Sequence, residues 1–563
     1  MKNVGIRIVI NKNGLNELAF NGLKKVNAGS DKDIYFFNGD QYDMKVKTVG
    51  SFTDFCKRHK GIGVEVGNGK ITVLNDLYSS VPMYIAQVDH SCIITSDIQE
   101  FYKRKSEVDL VGLYEILLYG SGLYDRTILS GVHQMPAASK CVIDYKNQSF
   151  LIEPYWDYSI MRNSKYEDID IAVKDVMNRL ESVFSEIDGN VVMGISGGLD
   201  SRLSACILSR THKPEQTSFF TFGYDSGIHE NKVAKETIDK IWGQDHAPGH
   251  FFIKLDERDY IDASYVPIST GAQVGLNHSH LYRSLLRIGG IDELTFISNY
   301  YSDAVMGWDT LPIKKDETMR ECTYYKVLID NSLHLEDEYI KKIMEDLEKI
   351  CDRYPQNGNF SCMNEFIYVT ERNPKFHVRL SAMLSDIAKV SLPYADYELL
   401  EIMLSIPLEN RTEKKIEELI IKSLVGEFKD VSSRRYFERS KYTEAGYTFY
   451  KKIHYNWIYF CNRAINLANV VLAKCFNYRI QLMNPYWTEN QNMVLNRYLY
   501  GDYIKALDYF DINKILSKGT VEKLRNKEYR SKTTGLKYTI ISVWKTIDYL
   551  QNKDRGVRCV NNL

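Results

Sequence analysis

The sequence predicts an α/β protein with two folding units and a helical C-terminal extension. Short strand-like runs fill the first part of the chain, a strand–turn–helix motif lies near the start of the second, and helical periodicity dominates the rest. At 563 residues the chain is too long for one hydrophobic core. We therefore expect units at 1–157 and 166–445, with a boundary near 157–168, and helices at 446–563.

The first unit is predicted to be β-rich, because short apolar runs alternate there with turn residues. The expected strands are 6–10, 34–37, 44–49, 62–66, 70–74, 83–86, 92–95 and 141–145. Helical periodicity predicts two helices, at 51–60 and 109–120.

The second unit begins with helices and strands in alternation. A helix at 169–186 leads into a strand at 191–195, and after a further helix come a strand at 218–223, a helix at 229–242 and a strand at 251–253. This alternation predicts a parallel sheet covered by helices, with ligands at the carboxyl ends of its strands. From about residue 315 onward the pattern is mostly helical.

The most specific feature is the S-G-G-L-D-S turn at 196–201, between an apolar strand and a helix. Glycines let the main chain approach an anion closely, serines add hydroxyl donors, and a helix N-terminus favours negative charge. Asp200 would repel a polyphosphate unless a magnesium ion lay between them. The motif therefore predicts an ATP and Mg²⁺ site formed by Ser196, Gly197, Gly198, Asp200 and Ser201. The alternative is an ordinary strand-to-helix turn.

The amino-acid composition argues against some classes of binding partner. The 72 Lys and Arg residues balance 73 Asp and Glu residues, so no global field favours nucleic acid or an anionic membrane. Ten cysteines occur singly, without a C-x-x-C pair, which fits a reducing cytoplasm. The most apolar stretch, 457–476, is interrupted by charged and amide residues and is interpreted as an amphipathic helix. We expect a cytoplasmic protein.

Further segments carry a family resemblance. The first unit contains L-Y-S-S-V-P-M-Y at 77–84, I-T-S-D-I at 94–98, and T-I-L-S-G-V-H-Q-M-P at 127–136 with Y-W-D at 155–157. The second unit adds S-N-Y-Y-S-D-A-V-M-G at 298–307, followed by L-P-Y-A-D from 392. Together with S-G-G-L-D-S, these segments resemble asparagine-synthetase-like amide-forming ligases, a family that includes β-lactam synthetases and lasso-peptide cyclases.

The resemblance spans about residues 1–445 and implies a fold. The first unit would be an Ntn-type αββα sandwich, and the second a PP-loop ATP pyrophosphatase domain. It also implies that a substrate carboxylate attacks the α-phosphate of ATP, giving an acyl-adenylate and pyrophosphate, before an amine attacks the acyl carbon.

The family pattern assigns several residues around the nucleotide. Asp200 and Asp303 would hold magnesium against the phosphates. Phe222, at the end of a strand, would stack on adenine, and Asn299 would lie near the adenylate. The alternatives are a core aromatic for Phe222 and a helix N-cap for Asp303.

The chain also departs from the family. Glutamine-dependent members need a cysteine directly after the initiator methionine, because its thiolate attacks glutamine. This chain has Lys2 there, and its first cysteine is Cys56. We therefore expect no glutaminase activity.

Three residues are candidates for the amine half-reaction. Tyr300 stands where asparagine-forming members carry glutamate, whereas the lactam-forming branch carries tyrosine paired with a later glutamate. Glu371 is the best partner, and a phenol with a pKa near 10 would match an alkyl ammonium. Lys441 resembles a late lysine that stabilises oxyanion charge. A solvated helix face for Glu371 and a surface position for Lys441 are the alternatives.

The predicted function is an AMP-forming amide ligase without glutaminase activity, acting on a small-molecule or peptide carboxylate and an amine, as in lactam or macrolactam formation. The runner-up is an asparagine-synthetase-like enzyme that uses free ammonia. Ala304, in place of a usual acidic residue, also allows a non-catalytic scaffold with an ATP fold. A sulfur-transferring or nucleotide-modifying enzyme lacks support from the composition. The sequence allows a homodimer or a complex with a partner encoded in the same biosynthetic cluster. It does not assign a role to the C-terminal helices.

Overall fold

The computed structural model describes residues 6–11, 14–20, 24–27, 33–37, 60–67, 70–104, 107–144, 147, 149–156, 166–223, 229–307, 318–355, 362–385, 387–426, 491, 494–525 and 534–552. The predicted strand at 44–49, the predicted helix over 51–59, the amphipathic stretch 457–476 and most of the predicted boundary lie outside these ranges.

The first part of the chain forms two antiparallel sheets. One has the order β2-β1-β8-β7-β9 and the other β11-β10-β6-β5-β4-β3. The strands are β1 Ile6–Asn11, β2 Gly14–Phe20, β3 Lys24–Asn27, β4 Asp33–Phe37, β5 Ile62–Gly67, β6 Lys70–Asn75, β7 Tyr84–Val88, β8 Ser91–Thr95, β9 Val132–Gln134, β10 Ser139–Asp144 and β11 Ser149–Pro154.

Apolar residues from both antiparallel sheets form one buried cluster, which includes Ile8, Val64, Ile85 and Ile143. The sheets therefore pack face to face, as alternation of buried side chains along each strand requires. Two helices follow β8, namely α1 Gln99–Tyr102 and α2 Leu110–Tyr119. Asp109 caps the N-terminus of α2 and Gly120, at φ 83°, ends it, in agreement with the predicted helix at 109–120.

The second part of the chain contains a five-stranded parallel sheet with the order β14-β13-β12-β15-β16. Its strands are β12 Val191–Gly194, β13 Thr217–Gly223, β14 Gly249–Lys254, β15 Thr295–Ile297 and β16 Lys389–Ser391. The parallel sheet and the α/β class are confirmed, although neither β15 nor β16 was among the predicted strands. Strands β12, β13 and β14 lie side by side in chain order, and β15 then pairs with the opposite edge of β12. The strand order therefore reverses between β12 and β15, which is a topological switch point.

Helices connect and follow these strands. They are α3 Ile169–Ser185, α4 Leu199–Thr211, α5 His229–Trp242, α6 Arg258–Ile261, α7 Tyr265–Ser269, α8 Ser279–Leu285, α9 Ser302–Val305, α10 Thr323–Asp330, α11 Asp337–Cys351, α12 Met363–Ile367, α13 Val378–Leu384, α14 Tyr397–Ser405, α15 Leu408–Arg411, α16 Lys415–Val425, α17 Tyr500–Ile512, α18 Lys518–Arg525 and α19 Thr534–Gln551. Tyr368–His377 and Leu495–Leu499 are π-helical, and Thr412–Lys414 is a 3₁₀ turn. In the part of the chain that the structure describes, no helix is long and apolar enough to cross a membrane.

Buried polar contacts join the two parts of the chain. Arg126 donates from Nε to Asp346 Oδ2 on α11 at 2.5 Å, and Lys375 Nζ donates to the carbonyl oxygens of Gly122 and Tyr124 at 2.8 and 2.6 Å. The segment after α2 therefore packs directly against α11 and against the π-helix Tyr368–His377, which carries Lys375.

Glu115, a fully buried residue of α2 at this junction, leads to a prediction about pH. Burial, and then the nearby Asp346 carboxylate, raises the pKa of Glu115 well above its usual 4.5. The folded protein thus keeps a proton that the unfolded chain loses, so the unfolding free energy falls as pH rises above about 4.5. Glu115→Gln cannot lose that proton and retains an acceptor for the Leu123 N–H. We expect its stability relative to wild type, measured by urea unfolding, to increase between about pH 5 and pH 8; a pH-independent difference would contradict this.

Candidate functional site

The candidate site lies at the switch point of the parallel sheet. The loop after β12 leads through Gly198, the N-cap residue, into α4, and the loop after β15 leads into α9. The two loops are in contact, because Ser302 Oγ donates to Asp200 Oδ1 at 2.6 Å. Crevices of this kind are where open parallel sheets bind ligands.

The predicted nucleotide loop is closed by its two serines. The Ser201 hydroxyl accepts from Ser196 N at 3.1 Å and lies 3.2 Å from Ser196 Oγ. Gly198 N in turn donates to Ser196 Oγ at 3.2 Å. The turn therefore holds its shape without a ligand, and the first-turn amides of α4, a 13-residue helix, face the same loop.

The two glycines of the turn matter because a Cβ at either position would lie close to neighbouring side chains. Their backbone dihedral angles do not require glycine. Gly198 is exposed, with an ordinary φ of −79°. A Cβ on Gly197 would lie 3.3 Å from Val233 of α5, and one on Gly198 would lie 3.3 Å from Ser196 Oγ. A side chain at either position would require its neighbour to shift by a few tenths of an ångström, and the predicted approach of the main chain to an anion stays a prediction.

Asp200 and Asp303 are brought together by a lysine that sequence reasoning missed. Lys414 Nζ lies 2.5 Å from Asp200 Oδ2 and 2.6 Å from Asp303 Oδ1. The lysine side chain is only 7% exposed, whereas the Asp303 side chain is 48% exposed. Asp303 lies in the first turn of α9 and Tyr301 is the N-cap, so the alternative of a capping role for Asp303 is wrong.

The Lys414 ammonium and the two aspartates stabilise one another's charges, whereas burial and Asp200 oppose ionisation of Glu417. Burial raises the pKa of Asp200, but the Lys414 ammonium and the Ser302 hydroxyl outweigh it, so the net pKa is lowered. Burial alone would lower the pKa of Lys414, yet Glu417, Asp200 and Asp303 together raise it. Burial, and then Asp200, raises the pKa of Glu417 well above its usual value. Asp200 is therefore a carboxylate and Lys414 an ammonium at neutral pH.

A divalent cation fits this carboxylate pair only together with other ligands. The two aspartates already hold one cation, the Lys414 ammonium, at hydrogen-bonding distances. Among the described residues, no group of three or more His, Cys, Asp or Glu side chains is arranged to hold a metal ion. Mg²⁺ commonly binds one or two carboxylates and completes its shell with phosphate oxygens and water. The donor set suits a metal that arrives with a polyphosphate.

The two residues predicted to contact the base and adenylate have different surroundings. Phe222 is half-buried at the end of β13 and packs edge-on against His280, with centroids 4.9 Å apart. The Asn299 amide is directed toward the sheet, where it accepts from Ser204 Oγ at 2.9 Å and contacts Met193 Sδ at 3.2 Å. Any contribution of Asn299 to a nucleotide pocket would therefore come from its main chain.

Tyr300 and Glu371 have different partners. The Tyr300 ring stacks on His377, with centroids 6.0 Å and planes 22° apart, and burial raises the pKa of its phenol above 10. That shift removes the predicted match to an alkyl ammonium in the ligand-free protein. Glu371 is 1% exposed, with Oε2 lying 2.8 Å from Lys375 Nζ, so the alternative of a solvated helix face is wrong.

His377 is a further residue that the sequence did not single out. Its Nδ1 lies 2.5 Å from Asn373 Oδ1, which fixes the ring beside Tyr300. Burial, and then the Arg372 charge, lowers the pKa of His377 to about 3, so its imidazole is neutral. The π-helical segment brings His377, and not Glu371, against Tyr300. The predicted Tyr300–Glu371 pair stays a prediction, and Lys441 lies outside the described residues.

The fold and site define an α/β protein in which the strand-to-helix turn at 196–201 lies beside the Asp200–Asp303 carboxylate pair. In comparisons with known proteins, no protein-family model and no curated protein matches the chain.

Proposed function

We propose that the chain is an ATP-dependent amide ligase that forms AMP and pyrophosphate, with an Ntn-type sandwich that lacks its nucleophile and a PP-loop synthetase domain. The observation that carries this proposal is the meeting of Asp200 and Asp303 at the switch point, beside S-G-G-L-D-S. An anion-binding loop next to paired carboxylates is the combination that a metal-bound triphosphate needs.

The proposed adenylation step assigns roles to this chain's own residues. The α4 amides and the Ser196 and Ser201 hydroxyls would bind pyrophosphate oxygens, and Asp200 and Asp303 would hold Mg²⁺. When bound, the metal would neutralise charge during displacement at the α-phosphate. Lys414, which contacts both aspartates, would donate to a phosphate oxygen once the aspartates have another cation. The substrate carboxylate forms a bond to the α-phosphorus, and pyrophosphate leaves.

In the proposed amide-forming step, a substrate amine attacks the acyl carbon and AMP leaves. Tyr300 borders the loop after β15 and would orient the amine, with its ring held by His377. Glu371 and Lys441 remain the proposed proton acceptor and oxyanion donor. An amine that belongs to the substrate itself would give a lactam or macrolactam.

The direct test is incubation with ATP, Mg²⁺ and panels of carboxylates and amines, followed by mass spectrometry of the nucleotides. The proposal expects AMP and pyrophosphate that depend on both Mg²⁺ and a carboxylate. Hydroxylamine, added as a nucleophile, would trap an activated acyl group as a hydroxamate. ADP and phosphate as the products, or a protein that binds no ATP, would contradict the proposal.

We also expect that glutamine is not a nitrogen source. Lys2 cannot supply the thiolate that attacks the glutamine amide. Purified protein with glutamine and Mg-ATP should release no glutamate above the buffer blank, as followed by a coupled glutamate assay. Glutamate release that persists through purification would show a nucleophile elsewhere in the chain.

A further inference from the structure

Lys414 occupies the place that a metal ion between Asp200 and Asp303 would need. Its ammonium lies 2.5 and 2.6 Å from their carboxylate oxygens. Its backbone is left-handed, with φ 58° and ψ 31°, at the junction between the 3₁₀ turn Thr412–Lys414 and α16. This conformation is uncommon for a lysine, so its place depends on the surrounding structure.

A free divalent cation cannot share this position with an ammonium, because both would contact the same carboxylate oxygens. Displacing Lys414 would take a largely buried ammonium away from the two carboxylate oxygens that it contacts, and weakening the pairing of a buried charge is costly. A nucleotide changes this balance, because its phosphate oxygens offer the ammonium new acceptors while the metal takes the carboxylates.

We propose that Lys414 excludes free divalent cations from the Asp200–Asp303 pair, so that the metal enters only as a metal–nucleotide complex. This inference rests on the proposed function, since it takes that pair as the metal site. It assigns Lys414 a positioning role: the side chain moves from carboxylate to phosphate oxygens as the ligand binds. A merely structural lysine would not govern metal affinity.

The test measures binding of Mn²⁺ alone to the nucleotide-free protein by electron paramagnetic resonance. Wild type should bind Mn²⁺ weakly at this site, and Lys414→Met should bind it about tenfold more tightly, within the range typical of coupled ligands. Lys415→Met is the matched control, because it removes the same charge from the next residue, which is exposed and donates to Asn410 Oδ1 at 2.8 Å. Adding Asp303→Asn to Lys414→Met should abolish the gain.

The inference is overturned if nucleotide-free wild type binds Mn²⁺ as tightly as Lys414→Met, or if Lys415→Met gains as much. Thermal unfolding checks that each variant folds, and Lys414→Gln serves as a second variant. If neither Lys414 variant folds, the measurement on wild type is decisive. Tight one-to-one binding of Mn²⁺ without nucleotide overturns the inference, and the absence of such binding supports it. Binding of Mn²⁺ together with AMPPNP to wild type distinguishes the two proposals. If the complex does not bind, the proposed function is contradicted. If it binds and free Mn²⁺ also binds tightly, only the exclusion by Lys414 is contradicted.

Discussion

Replacing Asp200 by asparagine is expected to abolish measurable AMP formation. The substitution keeps the size of the side chain and an acceptor for the Ser302 hydroxyl, but it removes one of the two charges that face Lys414. Loss of a partner that only orients a metal ligand costs about 10- to 100-fold, and loss of a ligand charge should cost more than that upper value. The measurement is the rate of pyrophosphate release under Mg-ATP, with the carboxylate that supports wild-type turnover.

Asp303→Asn should behave in the same way, because both carboxylates hold the same cation. Asp245→Asn provides the control, since Asp245 is an exposed residue in the turn before β14. Near-normal pyrophosphate release by either site variant, with the control also normal, would mean that the carboxylate pair does not take part in the reaction.

Gly307→Ala is expected to destabilise the fold and displace Lys414. Gly307 has a φ of +97°, and a Cβ there would lie 2.2 Å from the Arg411 carbonyl oxygen. That carbonyl cannot move aside easily, because Arg411 is buried, pairs with Glu365 and donates from Nε to Ile406 O at 2.9 Å. Backbone strain and overpacking together should cost about 3 kcal/mol in the unfolding free energy, measured by urea titration.

Gly501→Ala is the control for that substitution. Gly501 lies in the first turn of α17, with no atom within 4 Å of the added Cβ. Alanine there should stabilise the protein by about 0.5–1 kcal/mol, since glycine is a poor helix former. A Gly307→Ala protein as stable as wild type would mean that the contact with Arg411 is looser than the structure indicates.

Local sequence patterns predicted much of the fold because many elements carry their own signals. The helix at 229–242 has the bounds that the structure gives, and α2 is framed by an aspartate cap and a left-handed glycine. The short strands β9, β15 and β16, of three residues each, and the strands β2, β3 and β11 were not predicted. Such strands are stabilised by partners distant in sequence, and a local window does not contain those partners.

The candidate site was predicted in part for the same reason. Asp200 follows β12 and Asp303 follows β15, and these two strands are parallel neighbours in the sheet, so their carboxyl ends bring the two aspartates close together. Lys414 comes from a turn more than a hundred residues after Asp303 and has no motif of its own. The interpretation of Glu371 assumed a regular α-helix, whereas Tyr368–His377 is a π-helix that contains Pro374. A wider turn shifts side chains to other faces, which places His377 on Tyr300 and Glu371 on Lys375.

Calorimetric titration of wild type with AMPPNP, with and without Mg²⁺, tests the central claim that Asp200 and Asp303 hold a metal-bound nucleotide at the sheet's switch point. The account predicts binding of one nucleotide per chain that requires Mg²⁺ and is lost in Asp200→Asn and in Asp303→Asn. Binding that is the same without Mg²⁺ and unchanged in both variants would contradict it.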